Sequence, residues 1–400
     1  MMHAFSLDPR DVLFFRDARP MGGADAGLGA RLPRPDQLHS AILSAFLAQW
    51  PERQDWEGAK HTFRLRTEEN RGRTHDLNED SSMRFGGLRV VGPFVSDAAG
   101  EVFLPTPLDL GMRLVTLPGD TNLPAPLDMG FLPVTREKRS LPALIPASLY
   151  AEYLAGSLPE TKDVVLPYAA ERTVQTAIDA DTGTAKDGQF FQAEYLRLVP
   201  GARLVFAASC IVHPKGGGQD VDVFARHDAP DVVQIGGQGD LATLSHGGFS
   251  LPSASVEPTC FVRWTLLSPA LFHSGWRPGW IEADTGRVML KRGDTTRQEG
   301  ESRAEWRKRL SEIPGFATAR LVAARIGKPL AFSGWDAIKN APKPTSLAVP
   351  AGSCYVFACD SADEASSLAA ALAAPRPHSD VFGEKGFGIG VCYFVECPTP

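Results

Sequence analysis

The chain has 400 residues, of which 43% are hydrophobic, and a formal net charge of -6 at pH 7. This length allows roughly two to three domains, because domains typically have about 100–200 residues. The negative net charge excludes a generally basic nucleic-acid coat protein, but it allows a local basic groove because phosphates respond to nearby charge.

No targeting or membrane segment is expected from the sequence. The first residues lack a basic stretch followed by an apolar one, so no signal peptide is predicted. No apolar run approaches the ~20 residues of a membrane span. The six cysteines lie in or beside apolar runs and form no CxxC pair. We therefore expect reduced thiols in a cytoplasmic protein that needs no metal and no cofactor.

The first predicted strand runs from Phe5 to Phe15, and two arginines follow it. Arg16 and Arg19 flank Asp17 at the strand exit. They form either a local ion pair on a loop or an anion contact that Asp17 holds in place. On the second interpretation both arginines bind phosphate.

A helix is predicted from Gln37 to Gln49, with Asp36 as its N-cap, because apolar residues recur there with helical spacing. The N–H groups and dipole of a helix start favour an anion. Arg34, His39 and Ser40 lie at this start, and we therefore expect them to contact RNA.

The middle of the chain is rich in proline and in hairpin patterns. A β-hairpin is predicted over 87–105, a helix over 147–154, and a second hairpin between 168 and 192. The polar tip of the second hairpin lacks the ligand spacing of an EF-hand, so no calcium site is expected. A small basic cluster within 135–139 could contact RNA or a partner protein through Arg136, Lys138 and Arg139.

The last third of the chain repeats the pattern of the first. Strands are predicted over 260–271 and 354–359, with a hairpin from 320 to 335. A short charged helix is predicted over 301–310. Asp360 or Ser361 is expected to cap an alanine-rich helix from Ala362 to Ala374, which Pro375 ends.

A glycine-rich loop at 383–390 precedes the terminal strand. Because Lys385 precedes Gly386 and no helix follows, neither a dinucleotide fingerprint nor a P-loop fits. The loop is either a plain turn or a backbone concavity that binds anions. On the second interpretation the RNA-binding residues are Lys385, Gly386, Phe387, Gly388 and Gly390.

Strands mixed with few helices predict an α+β fold with helices on one face of each sheet. We expect two ferredoxin-like or RRM-like lobes with β-hairpin and loop insertions. The expected division places the first lobe, with its proline-rich and hairpin insertions, at residues 1–200. The second lobe then spans 201–400 and ends in the glycine-rich loop and last strand.

The sequence lacks the common hydrolase motifs HExxH and GxSxG. A metal-independent ribonuclease requires a positioned base, a positioned acid and a cation for the developing charge. His39 beside Arg34 is the one candidate constellation, and it lacks an acid partner. We therefore expect no enzymatic activity.

Several blocks, in their order along the chain, resemble the third subunit of the type III-B CRISPR Cmr effector complex, a member of the RAMP superfamily. These blocks are Leu13-Phe14-Phe15-Arg16-Asp17-Ala18-Arg19-Pro20, Pro33-Arg34-Pro35, Gly236-Gly237-Gln238-Gly239-Asp240, Ser333-Gly334-Trp335-Asp336, Lys343-Pro344, Val349-Pro350-Ala351-Gly352-Ser353 and Gly386-Phe387-Gly388. Ser40 replaces a glycine of the family, and Gln238 and Asp240 replace an acidic and a basic residue.

The resemblance implies a two-lobed RAMP fold in a non-catalytic, crRNA-binding subunit that acts in antiviral defence. Such a subunit caps the 5′ handle of the crRNA and docks onto the large polymerase-like Cmr subunit and the backbone Cmr subunits. Reading a single strand requires stacking on aromatic planes, for which Phe387, Trp335 and Tyr168 are candidates. Lys343 is a further possible RNA or partner contact. Two alternatives stay open, namely an endoribonuclease that processes precursor crRNA and a protein-only assembly scaffold.

Overall fold

The structure is a computed structural model that describes residues 2–15, 32–49, 87–117, 122–135, 140–212, 221–226, 231–237, 239–253, 256–293, 295, 298, 301–333, 335–336, 341–342 and 344–396. Within these ranges the fold mixes many strands with few helices. None of the described helices has the length and apolar character needed to cross a membrane.

The first half of the described chain contains most of the long strands. They are β1 (His3–Pro9), β2 (Leu88–Ser96), β3 (Val102–Pro105), β4 (Met112–Thr116), β5 (Met129–Pro133), β6 (Leu144–Pro146), β7 (Tyr168–Ile178), β8 (Ala185–Leu198), β9 (Arg203–Val212), β10 (Val221–Asp222), β11 (Val232–Gln234) and β12 (Leu241–His246). Its helices are α1 (Pro35–Gln49), α2 (Ala147–Leu154) and α3 (Val223–Arg226).

The second half has shorter strands. They are β13 (Phe261–Leu266), β14 (Arg320–Arg325), β15 (Leu330–Phe332), β16 (Trp335–Asp336), β17 (Ala341–Pro342), β18 (Ser346–Ala348), β19 (Cys354–Ala358) and β20 (Gly390–Val395). Its helices are α4 (Arg303–Glu312) and α5 (Ala362–Leu372), and a 3-10 turn covers Gly383–Lys385.

Two antiparallel sheets organise the molecule. The first has the order β11-β12-β1-β9-β2-β3-β6, with β10 also paired to β9, and the second has the order β14-β19-β13-β20. A division at residues 200 and 201 would pass between β8 and β9. Because β9, β11 and β12 pair within the first sheet, that division would split it.

Helix α1 buries an apolar face on the first sheet. Leu38, Ile42 and Phe46 recur at helical spacing and are buried in one core with Phe5 and Phe206. Fully burying side chains of this size stabilises the fold by about 1.5–3 kcal/mol each. The apolar periodicity therefore determines which side of the helix faces the sheet.

The start of α1 differs from the prediction that Asp36 caps it. The carbonyl of Arg34 accepts hydrogen bonds from the N–H groups of Gln37 (3.1 Å) and Leu38 (3.3 Å), and the side chain of Gln37 accepts from Arg34 N at 2.8 Å. Pro35 occupies the first helical position, where its fixed φ fits and its missing N–H is not needed. Arg34 is therefore the N-cap residue and Asp36 lies in the first turn.

The second sheet is buried on both faces. One face packs Val262 and Trp264 against Leu368 and Leu372 of α5. On the other face, the hairpin of β4 and β5 packs Leu114 against the sheet, beside α2. The proline-rich insertion of the first half, residues 105–167, therefore covers the sheet of the second half.

The predicted hairpins were confirmed in two places and wrong in a third. β2 pairs with β3, and β7 pairs with β8. The hairpin expected over 320–335 does not form, because β14 pairs with β19 and β15 pairs with β18. Leu321, Val322 and Ala323 are all buried, so β14 packs into the core as an edge strand of the second sheet, whereas β15 and β18 carry exposed residues.

A buried ion pair joins the insertion to the second sheet. Asp109 is 1% exposed and Arg263 of β13 is 6% exposed, and the guanidinium donates a hydrogen bond to the carboxylate. Tyr153 donates to Asp109 at 2.7 Å, and Arg263 donates to Tyr393 at 2.8 Å. Burial, and then the Asp109 charge, raises the pKa of Tyr153 well above its ordinary value, so this tyrosine stays neutral. The cluster therefore connects α2, β13 and β20.

The Val-Pro-Ala-Gly-Ser block, residues 349–353, is hydrogen-bonded to the same insertion. Leu108 N donates to the carbonyl of Gly352 at 2.9 Å, and Arg325 Nε donates to the carbonyl of Leu108 at 2.7 Å. Gly352 has a φ of +85°, and a Cβ there would overlap the carbonyl oxygen of Thr106. Only glycine allows this approach without strain.

We predict that Asp109→Asn strongly destabilises the chain, because it leaves the Arg263 charge buried without a counter-charge. Loss of one partner of a buried pair typically costs about 3–5 kcal/mol. The control is Asp128→Asn, which removes the exposed Asp128–Arg320 pair (2.8 Å) and should cost about 0–1 kcal/mol. Urea unfolding measures both variants. Equal losses would contradict the role given to the buried pair.

Candidate nucleic-acid interface

The glycine-rich loop lies against the first half of the chain. Gly386 has a φ of +91°, and a Cβ there would lie 2.8 Å from the carbonyl oxygen of Val90 and 3.3 Å from Cβ of Pro35. Val90 belongs to β2, and Pro35 begins α1. The loop and the start of the first helix, which were predicted separately, therefore meet.

Most of the loop is closed to a ligand, contrary to the prediction. Gly386, Phe387, Gly388 and Gly390 are all buried. A Cβ on Gly388 would overlap the backbone of Ser379. These glycines therefore let segments of the chain approach one another closely, and none of them presents its backbone to an RNA strand.

Phe387 cannot stack on a base in this structure. It is 0% exposed and packs in a small cluster with Leu271 and Ala348. The stacking role predicted for it is therefore wrong. Its apolar neighbours lie far from it in sequence, so the sequence pattern gave no sign of this burial.

A Cβ on Gly390 would overlap the indole nitrogen of Trp264. Trp264 lies on the neighbouring strand β13, directly opposite Cys392. Gly390 therefore makes room for the largest side chain of the second core.

Lys385, like its neighbour Glu384, keeps a partly exposed side chain. It lies in the 3-10 turn, and its Nζ lies 4.5 Å from the ring centroid of Phe382. Phe382 is half-buried and was not among the predicted residues. The lysine ammonium is thus held at the boundary between protein and solvent.

His39 is buried and uncharged. It is 9% exposed, and its pKa is lowered to about 3 by desolvation, by the charge of Lys385 and, in smaller part, by Arg89. The two cations therefore lie near this histidine. A neutral His39 contributes no positive charge to phosphate binding, and the predicted contact of His39 with RNA stays a prediction. Ser40, beside it, is exposed.

Arg34 connects the two halves of the chain. Its Nε donates to Asp36 Oδ1 at 3.1 Å, and its Nη2 donates to Asp36 Oδ2 and to the carbonyl of Ser333, each at 3.3 Å. Ser333 follows β15 in the second half. Asp36 thus compensates most of the positive charge of the guanidinium. Arg34 therefore holds the start of α1 in place and contributes little charge to phosphate binding.

Arg89 is a basic residue of this region that was not predicted from the sequence. It is exposed on β2 between the buried Leu88 and Val90, and its Nη1 donates to the Leu88 carbonyl at 2.8 Å. An arginine inside an otherwise apolar strand is the signal that could have found it. Together with Lys385 it gives this region two cations, and the carboxylate of Glu384 lies near Arg89.

The Gly236–Asp240 block supports the segment that leads to Arg16. Gly237 N donates to the carbonyl of Phe14 at 2.7 Å, and Asp240 Oδ2 accepts from Phe14 N at 3.1 Å. The block thus fixes the backbone just before the two N-terminal arginines.

Of the remaining predicted residues, the structure describes only the side chain of Tyr168. Tyr168 is partly buried and packs on the first core. The residues that lie outside the described part are Arg16, Arg19, Arg136, Lys138, Arg139, Lys343 and the side chain of Trp335. In the part of the chain that is described, no group of three His, Cys, Asp or Glu side chains could hold a metal ion.

Comparison with known proteins gives a family match along almost the whole chain. The model of the family described as CRISPR-associated protein (Cas_Cmr3) matches residues 5–396. No curated protein sequence matches.

Among solved structures, the chain is similar to one chain of the type III-B Cmr-beta complex bound to cognate target RNA and AMPPnP. The identity is 14%, the TM-score is 0.45, and the match covers 88% of this chain and 86% of that one. It is also similar to a chain of the Csm3-Csm4 subcomplex of the type III-A CRISPR-Cas interference complex. There the identity is 10%, the TM-score is 0.38, and the coverage is 90% and 92%.

We predict that Gly390→Ala destabilises the chain, because its Cβ overlaps Trp264. Overpacking of this kind typically costs about 1–3 kcal/mol. The control is Gly248→Ala, where a Cβ meets nothing within 4 Å, and a change within about 0.5 kcal/mol is expected. Chemical unfolding compares the two variants, and a harmless Gly390→Ala would contradict the close packing.

The buried His39 predicts a pH dependence of stability. Its folded pKa of about 3 lies below its ordinary value of 6.5, so the unfolded chain binds the proton more readily. The stability that a neutral His39 allows is complete above pH 6.5, and it is lost as the pH falls from 6.5 toward 3.

We expect His39→Gln to flatten the unfolding free energy against pH in that window by up to about 1.4 kcal/mol per pH unit, the value for one proton. Urea unfolding at a series of pH values measures this slope. A slope unchanged by the substitution would show that His39 titrates equally in both states.

Proposed function

Because the chain belongs to the Cas_Cmr3 family of CRISPR-associated proteins, we propose that it is a non-catalytic RNA-binding subunit of a type III-B effector complex. In this role it caps the 5′ handle of the crRNA and docks onto the large polymerase-like subunit. The observation that carries the proposal is the meeting of the glycine-rich loop with the start of α1. There Gly386 contacts Val90 and Pro35, and Lys385 lies beside them.

Charge and exposure at this meeting point suit a phosphate. Lys385 and Arg89 supply two cations close to His39, and the N-terminal end of α1 favours an anion. Ser40 is exposed and can donate a hydrogen bond. The neutral imidazole of His39 leaves these groups without a third positive charge that would repel them. Glu384 lies near enough to Arg89 to affect its pKa, and Asp36 in the first turn of α1 is paired with Arg34. Lys385 and the helix dipole are therefore the groups that attract a phosphate here.

We further propose that the chain consists of two ferredoxin-like lobes divided between His246 and Phe261. The order β12-β1-β9-β2, with α1 and α3 in the connections, supports the first lobe. The order β20-β13-β19-β14, with α4 and α5 in the connections, supports the second. In both, the first and third strands of the unit lie at the centre, as a βαββαβ fold requires. The proposed RNA site then lies where the lobes meet.

The absence of catalysis is part of the proposal, and the state of His39 supports it. A base with a pKa near 3 is far from the pH at which proton transfer is efficient. Incubating the chain with repeat-containing RNA in EDTA tests this point. Cleavage that disappears in His39→Ala would favour the endoribonuclease alternative and contradict the proposal.

The N-terminal arginines test RNA binding directly. We predict that Arg16→Glu with Arg19→Glu weakens retention of guide RNA by the assembled complex, because two phosphate contacts are lost. The slope of log affinity against log salt should fall by about 1.4, at roughly 0.7 per single-strand phosphate.

The matched control is Lys162→Glu with Lys308→Glu, which makes the same charge change at two exposed lysines outside the site. Its salt slope should stay at the wild-type value. An arginine variant with unchanged affinity and slope would remove these residues from the site.

A further inference from the structure

The turn before Gly386 contains a backbone outlier at Phe382. Its φ is 60°, and in the described part of the chain it is the one residue other than glycine with a positive φ. In this conformation Cβ approaches the following carbonyl oxygen, so an aromatic residue adopts it only when its surroundings require it. Residues held in this way cluster at ligand sites.

The surroundings of Phe382 account for the conformation. Its carbonyl accepts hydrogen bonds from Lys385 N at 2.9 Å and from Phe387 N at 3.4 Å, which closes the turn. Its ring lies 6.1 Å from the ring of Phe387 and packs on the cluster that contains Leu271. The ring is therefore fixed to the core of the second half.

The fixed ring carries the ammonium of Lys385. Nζ lies 4.5 Å from the ring centroid, within the ~6 Å over which a cation is attracted to an aromatic face. Lysine has a flexible four-carbon stem, and ordering it on binding costs conformational entropy. A lysine that is ordered beforehand binds an anion with less of this cost.

The ordered ammonium acts on the start of α1. Gly386, the next residue, contacts Pro35 at the first helical position. The 3-10 turn that contains Lys385 lies against α1, and the charge of Lys385 lowers the pKa of His39 on that helix. The ammonium and the helix dipole thus favour an anion in one place.

We infer that Phe382 is a positioning residue, whose ring holds Lys385 where its ammonium meets an RNA phosphate at the start of α1. The inference deepens the proposed function and rests on it. The ring of Phe382 does not stack on a base in this role, because the ammonium of Lys385 lies over its face.

A double-mutant cycle on the full chain in its assembled complex tests the inference, with a guide RNA that carries its 5′ handle as the probe. Lys385→Met should weaken binding and lower the salt slope by about 0.7. Phe382→Leu keeps an apolar side chain but removes the ring, and should weaken binding about two- to fivefold. In the Lys385→Met background, Phe382→Leu should cause no further loss.

Phe382→Tyr is the rescue variant, since it keeps the aromatic face and should bind as the wild type does. Thermal unfolding of each variant shows whether the turn still folds. A loss on Phe382→Leu that is equally large with and without Lys385 would overturn the inference. So would full affinity in Phe382→Leu together with weakened binding in Lys385→Met, and either result would leave the proposed function standing. Unchanged affinity and slope in Lys385→Met would remove Lys385 from the RNA site and overturn both.

Discussion

The arrangement of the molecule depends on a charge pair buried between its two halves. Asp109 comes from the insertion of the first half, and Arg263 lies in the centre of the second sheet. A buried charge is strongly unfavourable unless its partner and its hydrogen bonds are in place. Separating or sliding the two segments would therefore leave a charge without its partner. Tyr153 and Tyr393 are hydrogen-bonded to the pair, and Gly352 packs closely against the nearby carbonyl of Thr106. The buried pair thereby holds the insertion on the second sheet.

The proposed RNA site depends on this contact between the halves because its parts come from both sides. The start of α1 and Arg89 belong to the first half, whereas Lys385 belongs to the second. Gly386 lets the two come together, and Arg34 links them again through Ser333. The whole fold preorganises a cation held at such a junction. Binding a phosphate there costs less conformational entropy than binding it with a mobile loop.

The sequence predicted the elements better than it predicted their roles. The periodicity of α1, the capped α5 and two hairpins follow from local pattern and turn chemistry, and these were confirmed. The partner of β14 and the burial of Phe387 were not predictable, since both depend on contacts between residues distant in sequence. The glycine loop was located correctly, but its glycines serve packing against Trp264 and Ser379. Arg89 and Phe382 were missed because a single charge in a strand and a single strained residue leave little sequence pattern.

The central claim is that guide RNA lies where the glycine loop meets α1. The most direct measurement is photo-crosslinking of an assembled complex whose guide carries a photoreactive nucleotide in the 5′ handle, followed by peptide mapping of this chain. We expect adducts in the peptide that contains Lys385 or in the one that contains Ser40. A handle that crosslinks efficiently to other subunits and never to either peptide would contradict the account and favour a protein-only scaffold.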